Sequence, residues 1–273
     1  MLNRNALFLN TILLGGTTAQ KLEAVADAGF AQAELWQQDV QETGGDTEGI
    51  RHHLSSLGIS LTDYQVLLDF DGAADVHREI KRQQALEILD TAVKVGADTV
   101  LVPANTERGC LPDKIVSDLQ WLTEQAVGRN LRIAYEAMCW STCVNTTPEA
   151  LKIINEVDSP ALGLVIDAFH IFALQRSVAD VEQVPVDKIF LVQLLDVAQI
   201  PDRGELTDIA RHQRLLPGEG IFPLQALLRT LRDKQYQGPL GLEVFNDALK
   251  KQPAEQVARQ AMASLKTVIG RQN

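Results

Sequence analysis

Four short apolar runs in the second half of the chain each carry an oxygen-bearing side chain near their end, and they constrain the fold more than any other feature. They are LRIAYE at 131–136, LGLVID at 162–167, KIFLVQL at 188–194 and PLGLEVF at 239–245. Each is too short for a stable helix and nearly continuous in apolar residues, as expected of a strand covered on both faces. Helical stretches separate them: about 112–128, one entered at Pro148, about 177–184 and about 222–234, with a last helix over about 253–268. Thr147 is expected to cap the helix entered at Pro148, because its hydroxyl can accept an orphan backbone N–H and proline is tolerated in a first turn.

The first half repeats the alternation less sharply. NALFLN at 5–10, FAQAELW at 30–36, ISLTDY at 59–64 and DTVLVP at 98–103 read as strands. Helical faces lie between them around Leu22 to Ala26, over 47–57 and over 75–95, and Gly29, Gly58 and Gly96 mark their ends. Strands that return through helices pair in parallel, because a crossover is needed to re-enter the sheet in the same direction. Eight such units predict one (βα)8 TIM barrel over residues 1–273, with its active site at the C-terminal ends of the strands. An open doubly wound sheet is the competing architecture, but neither a Gly-x-Gly-x-x-Gly nor a Walker sequence is present to support its nucleotide-binding form. The stretch 196–218 is polar and longer than an ordinary connector, which marks it as a functional loop.

Barrel closure would bring Glu136, Asp167, Gln193 and Glu243 to one rim. They lie 31, 26 and 50 residues apart, spacings of whole strand–helix returns. Three carboxylates and an amide are hard oxygen donors suited to Mg2+, Mn2+ or Co2+. Without a cation, gathering these acids would incur repulsion and desolvation. The bland alternative is a set of solvated charges at strand ends, with the Gln193 amide satisfied in a loop.

Composition narrows the partners. With 25 Lys and Arg against 36 Asp and Glu, the net charge of −11 opposes nucleic acid, and no long apolar span marks a membrane segment. Three cysteines, Cys110, Cys139 and Cys143, with no secretory leader pattern, fit a reducing cytoplasm better than a disulfide framework. His52 and His53 are neighbours on a helix and do not make a shared metal site; Trp36 and Trp121 read as packing residues.

The blocks YEAMCW at 135–140, VNT at 144–146, DSPALGLVIDAFH at 158–170, KIFLVQLLD at 188–196, RHQRLLPGEG at 211–220 and GPLGLEVFND at 238–247 occur in an order that resembles the xylose isomerase-like barrels, the sugar phosphate isomerases and epimerases. More narrowly they resemble bacterial 3-dehydroshikimate dehydratases. That resemblance implies a metal bound by Glu136, Asp167, Gln193 and Glu243, with Gln193 where many sugar epimerases of the superfamily carry histidine. It implies catalytic roles for His170, Glu136 and Glu243, and a metal-dependent lyase acting on a polyhydroxy ketone or sugar acid. Arg211, His212 and Arg214 are the cations expected to meet a substrate carboxylate, and Trp140 is the expected aromatic neighbour. A homo-oligomer is also a family expectation. One departure stands out: YQVLLDFDG at 64–72 puts Leu68 where the dehydratase pattern carries arginine. A keto-sugar isomerase or epimerase, and a sugar-acid binding protein without catalysis, are the readings to be separated from dehydration.

Overall fold

In the computed structural model, residues 2–270 are described. Eight strands close into a parallel barrel in sequence order: β1 (Leu7–Asn10), β2 (Gln32–Trp36), β3 (Ser60–Gln65), β4 (Thr99–Pro103), β5 (Arg132–Glu136), β6 (Leu162–Asp167), β7 (Ile189–Leu194) and β8 (Leu240–Leu242). The last strand pairs with the first, Leu240 opposite Leu7, so no sheet edge is left open.

Side chains alternate between two cores. A small set including Phe8, Leu101, Ala134, Val165 and Phe190 packs as one cluster, separate from the larger cluster made with the surrounding helices. The bulk of the two phenylalanines accounts for the glycines in the strand runs. A Cβ on Gly163 would come within 2.4 Å of the Phe190 ring, and one on Gly241 within 2.2 Å of the Phe8 carbonyl oxygen. The outer core is built by helices such as Leu224–Asp233, which buries Leu224, Leu227, Leu228 and Leu231 at helical spacing. Each leucine so covered contributes about 1.5–3 kcal/mol of apolar transfer.

Several boundaries differ from the sequence expectation for local reasons. The N-cap of helix Thr147–Val157 is Thr146, not Thr147: its hydroxyl accepts from Glu149 N and the Glu149 carboxylate reaches back to Thr146 N. Pro148 therefore sits one position further in, still within the tolerated first turn. The helix expected over 177–184 shrinks to Ala179–Glu182, and that expected from 75 begins at Arg78. Two short helices, Gln37–Glu42 and Ala168–Phe172, start directly after β2 and β6. The polar stretch 196–218 contains the helix Leu206–His212, and Asp196 is buried there, accepting from Val197 N, Gly218 N and Phe222 N. No helix among the described residues is long and apolar enough to cross a membrane, and all three cysteines are free.

Candidate active site at the C-terminal mouth

Strand register relates the residues near the C-terminal strand ends. Pro103 lies opposite Glu136, Asp167 opposite Gln193, Gln193 opposite Gly241, and Asn10 opposite Glu34. Glu136 and Asp167 end their strands, Gln193 is the last residue but one of β7, and Glu243 follows β8 by one residue. All four are buried.

The strand-to-helix junction after β6 positions His170. Asp167 accepts from Phe169 N through Oδ1 at 2.6 Å and so caps the helix that begins at Ala168. One turn on, His170 directs Nε2 to within 3.6 Å of Glu136 Oε1 and 3.8 Å of Asp167 Oδ2. Its Nδ1 accepts from the Cys139 backbone N–H at 3.1 Å, so the proton of a neutral imidazole resides on Nε2, facing the carboxylates. Burial pushes the His170 pKa down to about 4, assisted by Arg214 and opposed by Asp167.

Arg214 occupies the centre. Its Nη1 donates to Asp167 Oδ2 at 2.9 Å, Glu243 Oε2 at 3.2 Å and Glu243 O at 3.1 Å, while Nε donates to Ala210 O at 2.7 Å. Phe169 and Phe245 stack against the guanidinium at 5.0 and 5.2 Å. The segment is fastened to the loop after β8, with Arg214 N donating to Phe245 O and Asn246 Nδ2 to Arg214 O. Expected as a contact for a substrate carboxylate, Arg214 is instead committed to the protein's own acids.

Those acids outnumber their counterions. Glu34, Asp63, Glu136, Asp167 and Glu243 are all buried around the mouth, whereas Arg214 is the one buried lysine or arginine among the described residues. Burial drives Glu136 well above the usual carboxylate range, and Glu243 and Asp167 add to the effect. Glu243 rises to about 7 by burial, with Arg214 holding it back. Burial also lifts Glu34 and Asp63 far above their ordinary values. Glu136 Oε1 and Gln193 Oε1 are buried without a hydrogen-bond partner.

Donor atoms of Glu136, Asp167 and His170 lie within 4.8 Å of one another, close enough to share one cation. The donor chemistry fits a divalent metal: oxygens with an excess of negative charge, two of them unsatisfied. A buried acidic and histidine cluster thus exists that can coordinate such an ion.

Above this cluster opens a cavity of about 440 Å3. Its lining combines apolar side chains, among them Val66, Leu68, Leu101 and Met138, with Arg211, His212 and Lys250. Trp140 also lines it, 5.1 Å from the His170 ring and 6.0 Å from Arg211 Cζ. Arg211 and His212 both line this cavity, and His212 Nδ1 is engaged at 3.1 Å by Asp247 Oδ2. Leu68 faces the cavity and is 49% exposed. Sequence reasoning missed Glu34, Asn10 and Lys250. Glu34 and Asn10 sit in β2 and β1 without a motif; period-two alternation in AELW was the available signal for Glu34, whereas Lys250 lies in a short turn with none.

A family model of the xylose isomerase-like TIM barrel matches residues 22–268. The sequence is 35% identical to a 3-dehydroshikimate dehydratase of Pseudomonas putida over 257 residues, 93% of this chain and 40% of that protein. An inosose isomerase of Bacillus licheniformis is 31% identical over 201 residues, covering 71% of this chain and 70% of that one. Among solved structures, a xylose isomerase-like TIM barrel/4-hydroxyphenylpyruvate dioxygenase fusion protein superposes with a TM-score of 0.93 and 33% identity, over 98% of this chain and 43% of that chain. The chain therefore spans well under half the length of the dehydratase and of the fusion protein.

Proposed function

Because this chain belongs to the xylose isomerase-like TIM barrel family, we propose that it is a divalent-metal-dependent lyase that dehydrates 3-dehydroshikimate or a related polyhydroxy ketone. The observation that carries the reading is the buried cluster of Glu136, Asp167 and His170, with Glu243 joined to Asp167 through Arg214 and the Glu136 Oε1 and Gln193 Oε1 atoms left without partners. In this proposal those four residues hold the ion. When bound, the ion supplies Lewis acidity that polarises the substrate ketone and favours negative charge on its oxygen.

The remaining chemistry falls to side chains. The proton to be removed sits on the carbon between the ketone and the carbon bearing the β-hydroxyl that leaves. Glu136 is the better base of the two glutamates, because its Oε1 is free while both Glu243 oxygens already accept, from Asn10 and Arg214. Burial, which pushes its carboxyl well above the usual carboxylate range, also makes it a stronger base than an exposed glutamate. The proton taken up by Glu136 passes to the departing hydroxyl as its C–O bond breaks, so that it leaves as water, while His170 Nε2–H, fixed by the bond at Nδ1, orients that hydroxyl through a hydrogen bond. Loss of a second ring proton then yields the aromatic catechol acid, protocatechuate. Glu243 completes the catalytic set as the facing carboxylate. Arg214 holds Asp167 and Glu243 in place, and Trp140 packs beside the substrate.

An anionic substrate needs cations that are not already committed. In the absence of an arginine at Leu68, Arg211 is assigned to the substrate carboxylate, with His212 and Lys250 flanking it. The net charge of −11 argues against nucleic-acid partners and for a small molecule drawn in at close range.

The 31% identity to an inosose isomerase favours a second reading, exchange of a proton by Glu136 and Glu243 on opposite sides of a keto sugar without loss of water. Turnover of 3-dehydroshikimate, inososes and free or phosphorylated ketoses, with apo and metal-restored protein and products identified by mass and NMR, separates the two. Metal-dependent aromatic product supports dehydration. Rearranged ketose with its oxygen count intact supports isomerisation, and binding without any turnover leaves a sensor. Undiminished dehydration after verified removal of all bound ions refutes the metal-dependent reading.

A further inference from the structure

One buried contact below the rim plays no part in the chemistry just described. Glu34 leaves β2 into the barrel and, through the β2–β3 register, stands opposite Asp63; both are fully buried. Glu34 Oε2 and both Asp63 oxygens lack a partner. Glu34 Oε1, however, accepts from Gln193 Nε2 at 2.8 Å, a bond that crosses from β2 to β7.

This contact selects one face of the Gln193 amide. A primary amide can turn either its oxygen or its NH2 group toward a given neighbour, and only the oxygen can bind a cation. Glu34 Oε1 takes its hydrogen bond from the amide nitrogen, so the amide oxygen is left facing away. Gln193 Oε1 is indeed buried and unpartnered. We infer that Glu34 is a positioning residue that fixes the orientation of the Gln193 amide, so that its oxygen is presented to the divalent ion. The inference rests on the metal reading above. It also accounts for an amide at this position: glutamine donates inward to Glu34 and still has an oxygen to accept or ligate on its other side. Outer partners that orient metal ligands in this way commonly alter metal affinity about 10–100-fold when removed.

The test uses the full chain and Mn2+ as probe, with free ion counted by electron paramagnetic resonance and Co2+ spectra recorded in parallel. Glu34→Leu is expected to weaken Mn2+ binding at least 10-fold and to change the Co2+ ligand-field bands. Glu34→Gln keeps an accepting oxygen in place and is expected to stay within about threefold of wild type, the conservative rescue implied by the donor–acceptor geometry. In a Gln193→Ala background, Glu34→Leu is expected to cause no further loss, as two members of one contact must couple. Wild-type Mn2+ affinity in E34L, or losses from E34L and Q193A that multiply, would overturn the inference. Should E34L fail to fold, the reversed pair E34Q/Q193E must bind Mn2+ at least as tightly as wild type, and weaker binding refutes the orientation argument. A wild-type chain that takes up neither Mn2+ nor Co2+ overturns the metal reading itself, and with it this one.

Discussion

Replacing Arg214 by methionine isolates the electrostatic core of the mouth. The guanidinium meets Asp167 at 2.9 Å and Glu243 at 3.2 Å; at an effective dielectric near 20, each contact carries roughly 5 kcal/mol of gross attraction. Most of that attraction offsets the desolvation of burying the charges, so the pairs themselves add little net stability. Removal is different, because it leaves two buried carboxylates facing each other and the acceptors Ala210 O and Glu243 O without their donor. Breaking a buried pair from one side costs about 3–5 kcal/mol, which for a chain of this size corresponds to a melting temperature lower by about 6–20 °C. The assay is guanidinium and thermal unfolding of wild type and R214M in EDTA at pH 8. At pH 5 the deficit is expected to shrink by at least half, because Glu243, with a pKa of about 7 even in wild type, then takes up a proton. Mn2+ at about 100 times its dissociation constant should return up to about 2.7 kcal/mol. Identical midpoints for the two metal-free proteins at pH 8 would refute the view that these acids depend on Arg214.

Other outcomes follow from the same structure. In the metal-free wild type, the Glu243 pKa is raised above its unfolded value of about 4.5, so its contribution to stability is fully present below that pH and is lost as pH rises through about 7; urea midpoints between pH 4.5 and 8 should show the decline, and saturating Mn2+ should flatten it. Metal uptake at pH 6 should release protons, read by calorimetry in buffers of different ionisation enthalpy, and a buffer-independent heat would contradict the raised carboxyls. Gly241→Ala forces a Cβ to 2.2 Å from a backbone oxygen and should cost at least about 2 kcal/mol by overpacking, measured by chemical denaturation. Arg211→Ala should raise KM for a carboxylated substrate at least about 10-fold while kcat changes much less, the split expected when an interaction is made equally in ground and transition states.

Much of this molecule was legible before any tertiary information. Short apolar runs, helical spacing and glycine punctuation are local signals, and they place all eight strands and the order in which they are joined. The acid or amide near the end of each of the last four strands follows from the same alternation, since a residue's parity along a strand settles the face it occupies. Boundaries slipped where one hydroxyl competes with its neighbour, as Thr146 does with Thr147 for the cap.

Which inward groups meet is another matter. Glu34 and Gln193 are 159 residues apart, and Asn10 and Glu243 are 233 apart; no local pattern couples them, because their partnership exists only once the ring closes, bringing β8 beside β1 and turning β2 and β7 toward one axis. Arg214 shows the same limit. It lines the same cavity as its sequence neighbours Arg211 and His212, but after helix Leu206–His212 it alone is buried and bonded to Asp167 and Glu243. Charge alone describes all three residues in the sequence; only the packed barrel decides which cation is available to a ligand and which is spent on the protein's own repulsion.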